Sequence, residues 1–165
     1  MADQEDDGAL HPSFFEGRLL IEVLSWDWDL YLGVSRVGPR KYRFQGGLDR
    51  VRTIRVEGRV QARQEHRGRD IKVRFTPFGP EMRFGGGLES VGSLHLFRSA
   101  PDARDWEASL LLPEADLTMM AIALSTTTKY LHIGASALDV EVARVTNYSL
   151  SASVGEKVKP WAGIE

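Results

Sequence analysis

Between residues 53 and 63 the chain alternates without a break. Ile54, Val56, Gly58, Val60 and Ala62 take one set of positions; Thr53, Arg55, Glu57, Arg59, Gln61 and Arg63 take the other. A period of two belongs to an extended strand with one face in a core and the other in water. Wound as a helix, the same residues would scatter their apolar groups around the whole circumference. Glu65-His66-Arg67-Gly68-Arg69-Asp70 then turns the chain, and Ile71, Val73 and Phe75 alternate with Lys72, Arg74 and Thr76. Residues 51–76 are thus predicted to form a hairpin with one apolar face and one basic face.

The first strand of that hairpin lies in a stretch that occurs twice. Residues 42–56 and 82–96 match at a constant offset of 40: Arg43/Arg83, Phe44/Phe84, Gly46/Gly86, Gly47/Gly87, Leu48/Leu88 and Val51/Val91 are identical. Such self-similarity marks a repeated supersecondary unit, here strand, glycine turn, strand, with the glycines supplying positive-φ turn geometry. The Gly-Gly pairs are not phosphate loops, which need a strand-to-helix setting and a lysine.

Around this unit, Leu19 to Trp28, Leu30 to Val34, Lys41 to Phe44 and Trp106 to Leu112 read as strand material, as do segments near 129–134 and 138–152. In the last of these Leu138, Val140 and Val142 alternate with Asp139, Glu141 and Ala143. Pro113 opens the one helical pattern, about 114–126, with Leu117, Met120, Ala121 and Leu124 on a shared face. The expected fold is all-β: an antiparallel sandwich or closed barrel of roughly 8–10 short strands, with an internal duplication and one short helix. We expect an acidic N-terminal tail over 1–12, a single domain over 13–154 and a polar C-terminal tail over 155–165.

Composition narrows the chemistry. The chain has no cysteine, which excludes disulfides, thiolate metal sites and a cysteine nucleophile. Its acidic first residues are no secretory signal and no apolar run is long enough to span a bilayer, so a cytoplasmic location and no membrane partner are expected. Sixteen arginines against five lysines suggest a GC-rich bacterial genome.

Charge is strongly segregated. Residues 1–35 hold eight acids and one base, residues 36–83 fourteen bases and five acids, and residues 84–165 six bases and ten acids. The predicted hairpin therefore gathers Arg55, Arg59, Arg63, Lys72 and Arg74 on one solvent face, with Arg67 and Arg69 at its tip. Like charges on adjacent strands repel, so this face calls for acid, either within the chain or on a partner. The expected contacts are an acidic protein or a neighbouring subunit in a homo-oligomer. Nucleic acid is the lesser expectation, because aromatic residues for base stacking are scarce on that face.

Two other groups carry weaker signals. Ser25-Trp26-Asp27-Trp28-Asp29-Leu30-Tyr31 places Trp26, Trp28 and Leu30 on one strand face, which reads as ordinary core. With Tyr42 and Phe44, the same tryptophans could instead line a small-molecule-binding barrel. His95 and His132 fall in predicted strands and could converge in space; a weaker alternative is a hydrolase-like enzyme using either of them with a nearby carboxylate. No catalytic set, metal site or cofactor motif is legible. The primary expectation is a cytoplasmic, non-enzymatic interaction or assembly module.

Overall fold

The computed structural model describes residues 17–34, 48–62, 64–78, 90–96, 106–138, 140–155 and 159. The expected acidic tail, Arg63, Tyr42, Phe44 and both Gly-Gly pairs lie outside the described residues. Among the described residues seven strands follow in chain order: β1 (Arg18–Val34), β2 (Leu48–Ala62), β3 (Asp70–Phe78), β4 (Gly92–His95), β5 (Trp106–Pro113), β6 (Tyr130–Ala135) and β7 (Val142–Ser151). Helix α1 (Leu117–Thr126) stands between β5 and β6, preceded by a 3-10 turn at Glu114–Asp116. The strands close into a barrel in the order β1-β2-β3-β5-β4-β7-β6.

The hairpin forms as its alternation demands. β2 and β3 pair antiparallel from Ile54↔Phe75 to Arg59↔Asp70. Ile54, Val56, Val60, Val73 and Phe75 are buried together with Leu94 and Leu96. The duplicated segments share this facing, since Ile54 and Val56 point inward as do Leu94 and Leu96. Their surroundings differ: β2 runs for 15 residues beside β1, and β4 for only four between β5 and β7.

The barrel interior is filled by side chains. Leu19, Ile21, Phe75, Leu110, Leu131, Ile133 and Val145 are each at most 1% exposed, and no polar or charged residue is buried among the described residues. Burying one such side chain contributes about 1.5–3 kcal/mol. The Phe75 ring meets the Tyr148 ring at 5.4 Å in an edge arrangement, and the Tyr148 hydroxyl donates to the Leu111 carbonyl at 2.7 Å. Burial, reinforced by Asp116, raises the pKa of that phenol. Met120 and Leu124 of α1 close over the core with Leu117 and Ala121 packed beside them, as the helical spacing predicts. The hairpin turn folds onto Trp106, whose ring lies 4.7 Å from His66 and 5.2 Å below the Arg69 guanidinium.

A bulge in β1 organises the wall that matters most. The pairing with β2 slips between Val23 and Ser25, so one residue of β1 is extra. A single extra residue exchanges the two faces of a strand. Val23 is consequently followed on the inner face by Trp26, while Ser25, Asp27 and Asp29 turn outward. Gly58 stands opposite the bulge, and a Cβ there would collide with Ile21 Cγ2 and lie 2.7 Å from the Glu22 carbonyl. Its place in the inward series reflects this close backbone approach.

Several expectations are corrected. The barrel is mixed, because β3 and β5 pair in parallel from Ile71↔Trp106 to Phe78↔Pro113. The chain reaches β5 only after leaving β3 and forming β4, so β5 re-enters beside β3 in the same direction. In β7 the inward residues are Ala143 and Val145, whereas Val140 and Val142 are 41% and 53% exposed. Ala143 stands opposite the inward Leu94, and directly paired residues share a face. Trp28 and Leu30 are 63% and 49% exposed. They leave the core because β1 outruns its neighbours: it stops pairing with β6 at Glu22, and β2, which stops pairing with β3 at Ile54 opposite Trp28, stays paired with β1 out to Val34↔Leu48. That projection is a two-stranded arm about 20 Å long.

Candidate interaction surface

The expected basic face exists as a surface, but it is not uniformly basic. Arg55 and Asp27 face each other across β2 and β1. The Arg55 Nε lies 2.9 Å from Asp27 Oδ1, and its Nη2 lies 2.9 Å from Asp29 Oδ2. The hydrogen bond to Asp27 and the charges of both carboxylates raise the pKa of this guanidinium. Arg59 reaches Asp70 at 3.3 Å. Lys72 is registered between Glu57 on β2 and Glu107 on β5. Arg74 stands between Arg55 and Ser109. A shallow groove of about 410 Å³ runs over this face, its charged walls formed by Arg55, Lys72 and Arg74 and by Asp27, Glu57 and Glu107. Three cations and three anions face the groove, so much of the acid that the sequence pattern calls for comes from β1 and β5. Arg67 is exposed at the turn, while Arg69 stacks on Trp106.

The histidines do not converge. His95 pairs with Val142 and His132 with Ser149, seven residues apart along β7 or about 23 Å. Each has a serine beside it: Ser93 Oγ lies 3.0 Å from His95 Nε2, and Ser151 Oγ lies 3.1 Å from His132 Nε2. A nucleophile–base pair needs a third group to orient the base and donors for a developing oxyanion. Burial lowers the pKa of His132, and the nearby cation of Arg18 lowers it further. The charge acting on His132 is thus a cation, whereas a triad uses a carboxylate to support the charged ring. His95 stands opposite Glu107, but β4 is paired on both sides, to β5 and β7, which commits its backbone N–H groups to the ladder. Among the described residues no three His, Asp or Glu side chains gather to hold a metal ion.

The tryptophan segment builds a different feature from either expectation. Trp26 packs partly buried against the core. Trp28 stands at the base of the arm, opposite Ile54, the last β2 residue paired with β3. Together with Leu30, Ile54, Leu117 and Ala121 it lines an open, almost entirely apolar cleft of about 240 Å³ between the arm and α1. Arg52 bridges the cleft's rim by reaching Glu114 at 3.4 Å. The apolar surface continues over α1, where Met119 and Ile122 are 65% and 50% exposed. Helix α1 has apolar residues around most of its circumference, although only Met120 and Leu124 are buried. An outward apolar helix face beside an apolar cleft is the kind of surface that proteins reserve for contacts. Helical spacing assigns Leu117, Met120, Ala121 and Leu124 to one face and leaves Met119 and Ile122 off it, and that remainder was the signal sequence reasoning did not use.

No helix among the described residues is long and apolar enough to cross a membrane. Compared with known proteins, the chain matches no family model, no curated protein and no solved structure.

Proposed function

We propose that this chain is a non-enzymatic interaction module whose contact surface is the apolar cleft between the β1–β2 arm and α1. One observation carries the reading: Trp28 and Leu30, large apolar side chains on a strand, stay more than 45% exposed at the mouth of that cleft. Contact surfaces favour such aromatic anchors ringed by polar groups, and here the rim is polar through Asp29, Arg52 and Glu114. The filled interior supports this assignment over a ligand-holding barrel. The committed backbone of β4 supports it over a hydrolase. Contact through the Arg-rich hairpin face has less to recommend it, because Asp27 and Asp29 already pair with Arg55, and Asp70 with Arg59. A cytoplasmic location is part of the proposal and is compatible with the cysteine-free composition.

Photo-crosslinking separates the two surfaces. A benzophenone amino acid at position 30 probes the cleft, and the same group at position 67 probes the basic turn. The expected result is a discrete adduct, in cells producing the chain, from position 30 and none from position 67. Adducts only at position 67 would return the contact to the hairpin face. No discrete adduct at position 30 would end the proposal.

A further inference from the structure

Taking the cleft as a docking surface, we infer that the partner segment binds as an added strand on the open edge of β1, with basic residues alternating with apolar ones. β1 pairs with β6 only from Arg18 to Glu22, and the Val23 N–H still donates to the Lys129 carbonyl at 2.8 Å. From Leu24 to Val34, among the described residues, β1 pairs with β2 alone. Among the described residues, eleven residues of strand therefore have no pairing partner on one side of their backbone, and such an edge is a template for another strand. The cleft lies along the same stretch, so a segment seated on the edge places every second side chain beside Trp28 and Leu30 on the cleft face.

Charge decides what the remaining side chains should be. Asp27 and Asp29 lie on the outer face of this edge strand, 62% and 57% exposed at their side chains, and share the single cation of Arg55. Two carboxylates around one guanidinium leave one negative charge over. A partner strand facing them with lysine or arginine gains favourable cross-strand pairs. A second copy of this chain is the poorer fit. A twofold pairing of β1 with itself about Trp28 would set Asp27 and Asp29 against their own mates. The chemistry specified is an extended segment of another protein, apolar toward the cleft and cationic toward Asp27 and Asp29.

The test uses the full chain and labelled nine-residue peptides, read by fluorescence anisotropy. One peptide alternates lysine with valine, and a second replaces each lysine by glutamate. Two further versions of the lysine peptide carry N-methyl groups on one or the other alternate set of residues. A strand bound by one edge bonds through only one of those sets. The expected pattern is lysine over glutamate by about tenfold, and a loss of about tenfold or more for one N-methyl set but not the other. Asp29→Asn should narrow the lysine–glutamate gap, and Trp28→Ser should weaken both peptides. Equal binding of both N-methyl versions and the parent would overturn edge pairing while leaving the cleft as a docking site. Equal binding of lysine and glutamate peptides would overturn the cationic requirement. No peptide binding despite a crosslink at position 30 would overturn this inference alone. Sedimentation showing that the chain self-associates through β1, abolished by Trp28→Ser, would make a second copy the occupant and overturn it as well.

Discussion

Arg55 and Asp27 face each other across β2 and β1 with the guanidinium Nε 2.9 Å from the carboxylate, and the same guanidinium reaches Asp29. This contact turns a row that reads as basic into a mixed-sign wall. It exists because the bulge at Leu24 rotates Asp27 to the outside.

A double-mutant cycle on Arg55→Gln and Asp27→Asn should therefore show favourable coupling in urea denaturation at low salt. Both groups are exposed, so the coupling should shrink markedly at about 1 M salt, where the screening length falls to about 3 Å. Coupling that ignores salt would mean that the contact acts through packing instead of charge.

Trp28 and Trp106 should separate cleanly under truncation. Trp106 is 2% exposed beneath Arg69 and His66, and Trp106→Ala should cost about 3–5 kcal/mol. Trp28→Ala, at 63% exposure, should cost less than about 1 kcal/mol. Urea midpoints of the two variants check this, and similar losses would place Trp28 in the core after all.

Gly58→Ala should destabilise by about 1–3 kcal/mol, because the new methyl group has nowhere to go between Ile21 and the Glu22 carbonyl. Gly155→Ala meets nothing within 4 Å and should stay within about 0.5 kcal/mol of the parent. Thermal or urea denaturation of the pair reads the difference.

His132 contributes a predictable pH dependence. Its folded pKa is lower than its unfolded value of about 6.5, because burial and Arg18 disfavour the charged ring. The unfolded chain therefore binds more protons as pH falls below about 6.5, and stability declines in that direction. His132→Gln should flatten the change in urea midpoint between about pH 7.5 and pH 5. An unchanged slope would assign the acid sensitivity to other groups.

Much of the core was legible in local sequence. The alternation from Ile54 to Phe75 determines which side of the hairpin is apolar, and the side chains of that set fill the barrel beside Leu94 and Leu96. The face of α1 carrying Met120 and Leu124 was equally readable, because helical spacing alone brings those residues together. The matched segments at residues 42–56 and 82–96 predicted the common inward facing of their second strands.

What tertiary structure decided depends on which strand lies beside which. Alternation sorts residues into two faces but does not choose a distant neighbour, so the acids that pair with Arg55 were invisible until β1 lay against β2. The parallel contact of β3 with β5 joins residues separated by a long connection, and no local pattern records it. Trp28 and Leu30 have the same inward periodicity as Trp26. They are exposed because β1 outruns β6, and past Ile54 β2 outruns β3 as well; strand length relative to its partners is a property of the assembled sheet. By itself the sequence determined the facing of residues along each strand, through sterics and hydrophobicity acting over a few positions. The open edge, the apolar cleft and the charge balance of the wall arose only when distant strands came into register.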